Sequence, residues 1–108
     1  MSEPVRVGAL AEVPEGEMRA YDLPTGRVAV AHVEHRLFVF DDACPCGGCA
    51  LSEGTFDDRT AQVKCASDDS VFDAESGEPV SDPALDPLRV HAARIVDGWV
   101  EIWPEPVG

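Results

Sequence analysis

Arg27-Val28-Ala29-Val30-Ala31-His32-Val33 and Arg36-Leu37-Phe38-Val39-Phe40 are two β-branched and apolar runs separated only by Glu34-His35. Two such runs across a tight connection predict a β-hairpin. A second hairpin is written near the end. Leu88-Arg89-Val90-His91-Ala92-Ala93-Arg94-Ile95-Val96 meets Asp97-Gly98, and Trp99-Val100-Glu101-Ile102-Trp103 returns. Asp-Gly between two such runs is a strong short-range hairpin signal. Working outward, Gly16 to Tyr21 reads as a first strand after the turn Val13-Pro14-Glu15-Gly16. Thr60–Lys64 and Ser70–Asp73 read as shorter strands, the latter ending in the turn Glu75-Ser76-Gly77-Glu78-Pro79. Leu10–Val13 is expected to form one short helical turn, and no longer window shows a helical period. Residues 81–87 read as an irregular loop and residues 104–108 as a frayed tail. Nine glycines and nine prolines, spread along the chain, punctuate short apolar runs as in an all-β domain. The expectation is a single antiparallel sandwich or barrel over residues 1–108.

The chain has 108 residues, which suits one domain. Lys and Arg number 8 against 21 Asp and Glu, a formal net charge of −13. That sign argues against nucleic acid and against anionic membrane. It favours a partner with a basic face, although acidity also serves solubility. No run of about 18 apolar residues suggests a membrane span. The opening Met1-Ser2-Glu3-Pro4-Val5-Arg6 lacks the basic and apolar regions of a secretory signal. A cytoplasmic, reducing location is the expectation, with structural disulfides disfavoured.

All four cysteines lie in two stretches between expected strands. The first is Asp41-Asp42-Ala43-Cys44-Pro45-Cys46-Gly47-Gly48-Cys49, and the second is Lys64-Cys65-Ala66-Ser67-Asp68-Asp69. Two loops presenting thiols toward one another are how a small β scaffold binds a soft metal or an iron–sulfur cluster. Glycines let backbone amides approach sulfur, and Pro45 stiffens the chelating turn. The bland alternative is small buried hydrophobes or a disulfide pair. Clustering as C-x-C-x-x-C fits that alternative poorly.

At these residues the chain resembles the Rieske-type ferredoxins, small electron carriers of ring-hydroxylating oxygenases. The small subunit of NADH-dependent nitrite reductase is a related protein. The resemblance runs through Val13–Glu17, the hairpin 27–40, the first loop, Leu51-Ser52-Glu53-Gly54, the second loop, Phe72, Gly77, Pro79 and the Asp97-Gly98 hairpin, in the family's order. It implies a Rieske-like β sandwich with two cluster-binding loops and a [2Fe–2S] cluster. In the family the loops carry Cys-x-His and Cys-x-x-His, cysteines on one iron and histidines on the other. Here Cys44 and Cys65 stand at the cysteine positions, but Cys46 and Asp68 replace the histidines. Cys49 matches a disulfide cysteine of the Rieske proteins of cytochrome bc complexes, whose partner position is Ser67 here.

The expected ligand set is therefore Cys44 and Cys65 on one iron, and Cys46 with either Asp68 or Cys49 on the other. His32, His35 and His91 fall outside both loops and read as surface or edge residues. The expected role is electron transfer between a flavin reductase and an oxygenase with a basic docking surface, with no catalysis by the chain itself. The alternatives are a cluster-free Rieske-fold module, or a structural zinc site of Cys44, Cys46, Cys49 and Cys65. Trp99 and Trp103 share a strand face and read as core or edge packing. Asp41-Asp42 and Asp57-Asp58 read as solvated loop charges.

Overall fold

The structure, a computed structural model, describes residues 3–34, 36–43, 50–66, 70–81 and 86–106. Among the described residues, ten strands form two antiparallel sheets. They are β1 (Val5–Ala9), β2 (Met18–Leu23), β3 (Gly26–Val33), β4 (Arg36–Asp41) and β5 (Thr55–Asp57), then β6 (Gln62–Lys64), β7 (Val71–Asp73), β8 (Pro79–Ser81), β9 (Val90–Val96) and β10 (Trp99–Pro106). The six-stranded sheet runs β1-β10-β9-β4-β3-β2, and the four-stranded sheet runs β5-β6-β7-β8. Single 3-10 turns at Leu10–Glu12 and Leu51–Glu53 are the helical elements among the described residues.

Strand alternation explains why β3 and β4 read as continuous apolar runs. Val28 and Val30 face one buried cluster with Val39, Val13, Leu23, Val100 and Ile102. Ala29 and Ala31 face the other, with Phe38, Phe40, Leu51, Val63, Cys65, Phe72, Ala74 and Leu88. The central hairpin is thus buried on both faces, so polar residues are excluded from both phases of the alternation. The small alanines of β3 leave room for the phenylalanines of β4, which they pair across the ladder as Ala29–Phe40 and Ala31–Phe38. The cluster around Phe40 and Phe72 joins the two sheets. The edge strands β1 and β2 touch, which rolls the large sheet toward a barrel around the second cluster.

Both expected hairpins are present, β3–β4 and β9–β10. Asp97 and Gly98 both have positive φ, 50° and 80°, as a two-residue hairpin turn of the primed kind requires. The expected helical turn is the 3-10 turn at Leu10–Glu12. Four features differ from expectation. Val5–Ala9 is a strand, since β10 offers it a free edge that no local pattern announces. The first expected strand starts at Met18, because Gly16 sits at φ 83° and its N–H donates to the His32 carbonyl at 2.7 Å. The short strands β5 and β8 exist through pairing with β6 and β7. The tail expected to fray continues β10 to Pro106, with Pro104 buried and Pro106 opposite His91.

The two tryptophans do share a face, and it is the outer one. Trp99 is 42 % exposed. The Arg6 guanidinium lies 5.3 Å from the Trp99 ring centroid, and Arg94 lies 5.3 Å from that of Trp103. Glu101 sits between them, accepting from Arg94 Nε at 2.8 Å and from an Arg6 terminal nitrogen at 3.1 Å. The hydrogen bond from Arg94 above all, then that from Arg6, holds the Glu101 carboxyl below the usual carboxylate range against the opposing effect of burial. The sheet edge is laced by this ladder of stacked and paired charges.

Candidate metal centre

Each cysteine-bearing loop springs from a closed neck. At the first neck, β4 ends at Asp41. The Asp42 N–H donates to the Arg27 carbonyl at 3.0 Å, and the Leu51 N–H donates to the Asp42 carbonyl at 2.7 Å. An isolated antiparallel bridge joins Ala43 to Ala50 immediately beyond. The Asp42 side chain completes the clasp. Its Oδ1 accepts the Ser52 N–H at 2.8 Å, and its Oδ2 accepts the Ser52 hydroxyl at 3.1 Å. Arg27 Nε lies 3.5 Å from the same Oδ2. Asp42 is only 2 % exposed, so this pair of aspartates is not the solvated loop charge that its sequence suggests. Asp41 is itself engaged, its Oδ1 lying 2.8 Å from His91 Nε2. Charge beside charge in a loop is read as solvent-facing by default, and only the fold shows that both carboxylates have donors waiting.

At the second neck, the Cys65 N–H donates to the Ser70 carbonyl at 2.9 Å, between β6 and β7. Cys65 is 2 % exposed and Ser70 is 1 % exposed. The two necks touch through backbone. Gly54 follows the Leu51–Glu53 turn, and a Cβ there would collide with the Lys64 carbonyl and lie 3.2 Å from the Ala66 nitrogen. Only glycine allows this approach. Leu51, from the first neck, shares the buried cluster with Val63 and Cys65 of the second.

Of the expected site residues, Cys65 is among the described residues. Cys44, Cys46, Cys49 and Asp68 lie outside them, as does His35. Cys65 is disulfide-bonded. This departs from the expectation that a reducing location disfavours disulfides. The physical reason is the one that suits the residue to a metal: Cys65 and a second thiol are brought within bonding reach. A disulfide and a pair of metal thiolates are alternative states of two such sulfurs. The chemistry of this position thus fits one half of a [2Fe–2S] site, which needs two thiolates on a single iron.

Neither described histidine has a ring poised to help. His32 Nδ1 lies 2.8 Å from the Val13 carbonyl, on the side of the second buried cluster. The His91 side chain is 4 % exposed, with Nδ1 3.1 Å from the Trp103 carbonyl and Nε2 on Asp41. The expectation that His91 is a surface or edge residue is therefore incorrect. A break in the β9–β10 register between Ile102 and Pro106 leaves room for the ring to reach the Trp103 carbonyl. A histidine in a strand carries no sequence mark of that role.

With this geometry in hand, the likenesses to known proteins are specific. The family model of the Rieske [2Fe-2S] domain matches residues 3–95. The anthranilate 1,2-dioxygenase ferredoxin subunit of Burkholderia cepacia is 35 % identical over 96 residues, covering 89 % of this chain and 87 % of that protein. The ferredoxin of carbazole 1,9a-dioxygenase from Nocardioides aromaticivorans IC177 superposes with a TM-score of 0.92 at 23 % identity, over 96 % of this chain and all of that one (100 %). A chain from the complex of reduced oxygenase and oxidized ferredoxin in carbazole 1,9a-dioxygenase gives a TM-score of 0.88 at 26 % identity, over 97 % of this chain and 96 % of that one. The match over residues 3–95 and the identity to a ferredoxin subunit show that the chain belongs to the Rieske [2Fe-2S] domain family as a Rieske-type ferredoxin.

Proposed function

We propose that this chain is a one-electron carrier that delivers electrons to an oxygenase, using a cluster held largely by thiolates. The observation that carries the reading is the contact of the two necks, with Cys65 buried at their junction. When bound, a [2Fe–2S] cluster supplies a centre that gains and loses one electron without any bond being made in a substrate. Cys44 and Cys65 would hold one iron. Cys46, with Asp68 or Cys49, would hold the other. Thiolate is the better donor to iron, and a carboxylate is a poorer substitute.

The residue change has an electrostatic consequence. Two ferric ions, two sulfides, two thiolates and two neutral imidazoles carry no net charge. Four anionic ligands leave the oxidised centre at about −2. A negative site resists an added electron, so the potential falls toward plant-type ferredoxin values, of order −400 mV. Without ligand imidazoles there is no coupled loss of ring protons, and the potential stays nearly flat between about pH 6 and 9. Cys65 is 2 % exposed, which keeps its sulfur from bulk water, and the net charge of −13 favours a partner with a basic face. Transient docking of redox partners suits a small, charged interface. Both the oxygenase and a flavin reductase would need such a surface.

The Cys65 disulfide favours one second reading: a cluster-free Rieske-fold module, in which the sulfurs serve each other. Visible absorption and iron and zinc content of anaerobically purified protein separate the readings. The carrier shows charge-transfer bands with about two irons per chain, as a [2Fe–2S] centre requires. A colourless, metal-free protein supports the module, and a colourless protein with one zinc supports a structural zinc site.

A further inference from the structure

The function assigned above rests on the cysteines, yet the most heavily bonded group at the first neck is a carboxylate. We propose that Asp42 is a positioning residue: it clasps the loop that carries Cys44, Cys46 and Cys49, and its charge helps set the potential of the centre. This rests on the cluster reading, but its geometric part does not require a cluster.

Three observations carry it. Asp42 is 2 % exposed although it lies two residues before Cys44. Both carboxylate oxygens are engaged, Oδ1 by the Ser52 N–H and Oδ2 by the Ser52 hydroxyl, with Arg27 Nε at 3.5 Å. Its own main chain closes the neck, N–H to Arg27 and carbonyl to Leu51. One residue therefore ties the strand entering the loop to the turn leaving it. Burying a carboxylate is costly unless hydrogen bonds and a countercharge offset it. Arg27 is the only cation paired with it among the described residues, and its side chain is 60 % exposed. The countercharge is therefore largely solvated, and a good part of the field of the carboxylate is left for its surroundings. A neutral residue would close the neck at lower desolvation cost. The charge has a use if it acts on a nearby redox centre, where a fixed negative charge opposes reduction.

The test compares Asp42→Asn, which keeps shape and an acceptor but not the charge, with Asp42→Ala, which removes the clasp. Val100→Ala is the control, a cavity in the other buried cluster on β10. Three readouts apply: the midpoint potential of the loaded protein, the rate of iron release to a chelator, and the rate of iodoacetamide labelling of reduced, metal-free protein. Asp42→Asn is expected to keep the cluster and move the midpoint to more positive values. Asp42→Ala is expected to release iron at least tenfold faster. It should also label at least tenfold faster at the loop cysteines than Val100→Ala. If Asp42→Asn leaves the midpoint unmoved, the charge role is overturned. If Asp42→Ala labels and releases no faster than Val100→Ala, the clasp role is overturned and Asp42 is merely stabilising. If the unsubstituted protein proves colourless, the cluster reading and the charge role fall together, and labelling alone then decides the clasp.

Discussion

The two sheets are built on different terms. Strands of the large sheet run from five to eight residues, while each of the four strands in the small sheet has three. The large sheet stands on burial: β3 and β4 are packed on both faces. The small sheet lends side chains to one cluster only and depends on specific short contacts, such as Gly54 under the Lys64 carbonyl and Cys65 against Ser70. One region is a scaffold whose cost of damage is global stability. The other is a holder whose cost of damage is the site. Substitutions should separate the two.

The largest expected effect on the holder comes from Cys65→Ser. It should abolish visible absorption and bound iron, while the thermal midpoint falls far less than for a scaffold lesion. Retained colour and iron at the normal level would remove Cys65 from the ligand set. The largest effect on the scaffold comes from Phe40→Ala, at the meeting of the sheets. Truncating such a buried aromatic costs about 3–5 kcal/mol, a large part of the stability of a small domain. Urea denaturation measures it, and a loss below about 1 kcal/mol would show that the sheets are not held there.

Gly54→Ala sharpens the comparison by striking where the necks touch. The added methyl must displace the Lys64 carbonyl, and overpacking of this kind costs about 1–3 kcal/mol. Its distinctive sign is that iron content falls while the far-ultraviolet spectrum persists. Equal iron content with a lower melting temperature would mean that the necks are not coupled to the site. Smallest is the effect at Glu101, on β10 between Arg6 of β1 and Arg94 of β9. Its folded pKa is depressed, so its stabilisation is present above the ordinary carboxylate value of about 4.3 and is lost as pH falls through the folded value. Glu101→Gln should therefore be less stable than the unsubstituted chain at pH 6–7, and the gap should shrink toward pH 3. A gap that is constant with pH would show that the Arg94 and Arg6 contacts do not act through charge.

The same contrast governs what was legible in the sequence. Val28 to Val33 and Leu37 to Phe40 announced their hairpin because double-sided burial excludes polar residues, and Asp97-Gly98 announced the other because its turn needs positive φ. The three-residue strands β5 and β8 carry too few alternations to show a period, and exist because partners recruit them. At the site, the cysteine spacing was readable and the resemblance supplied the family. Asp42 and His91 were not readable, since an aspartate or a histidine looks the same in sequence whether solvent or a buried donor awaits it. Their roles are set by residues ten and fifty positions away. A signal was present in the Leu51-Ser52-Glu53-Gly54 stretch, where a hydroxyl and a glycine follow the cysteine loop, but its partner could only be seen folded.

The proposed cluster is one held without imidazole. Pulsed electron paramagnetic resonance of the dithionite-reduced protein tests it most directly, because a directly coordinated imidazole nitrogen leaves a strong coupling on the iron–sulfur signal. The expected result is a reduced [2Fe–2S] signal with no strongly coupled nitrogen. A signal carrying the couplings of one or two ligand imidazoles, or no signal from protein purified and reduced without air, would contradict it.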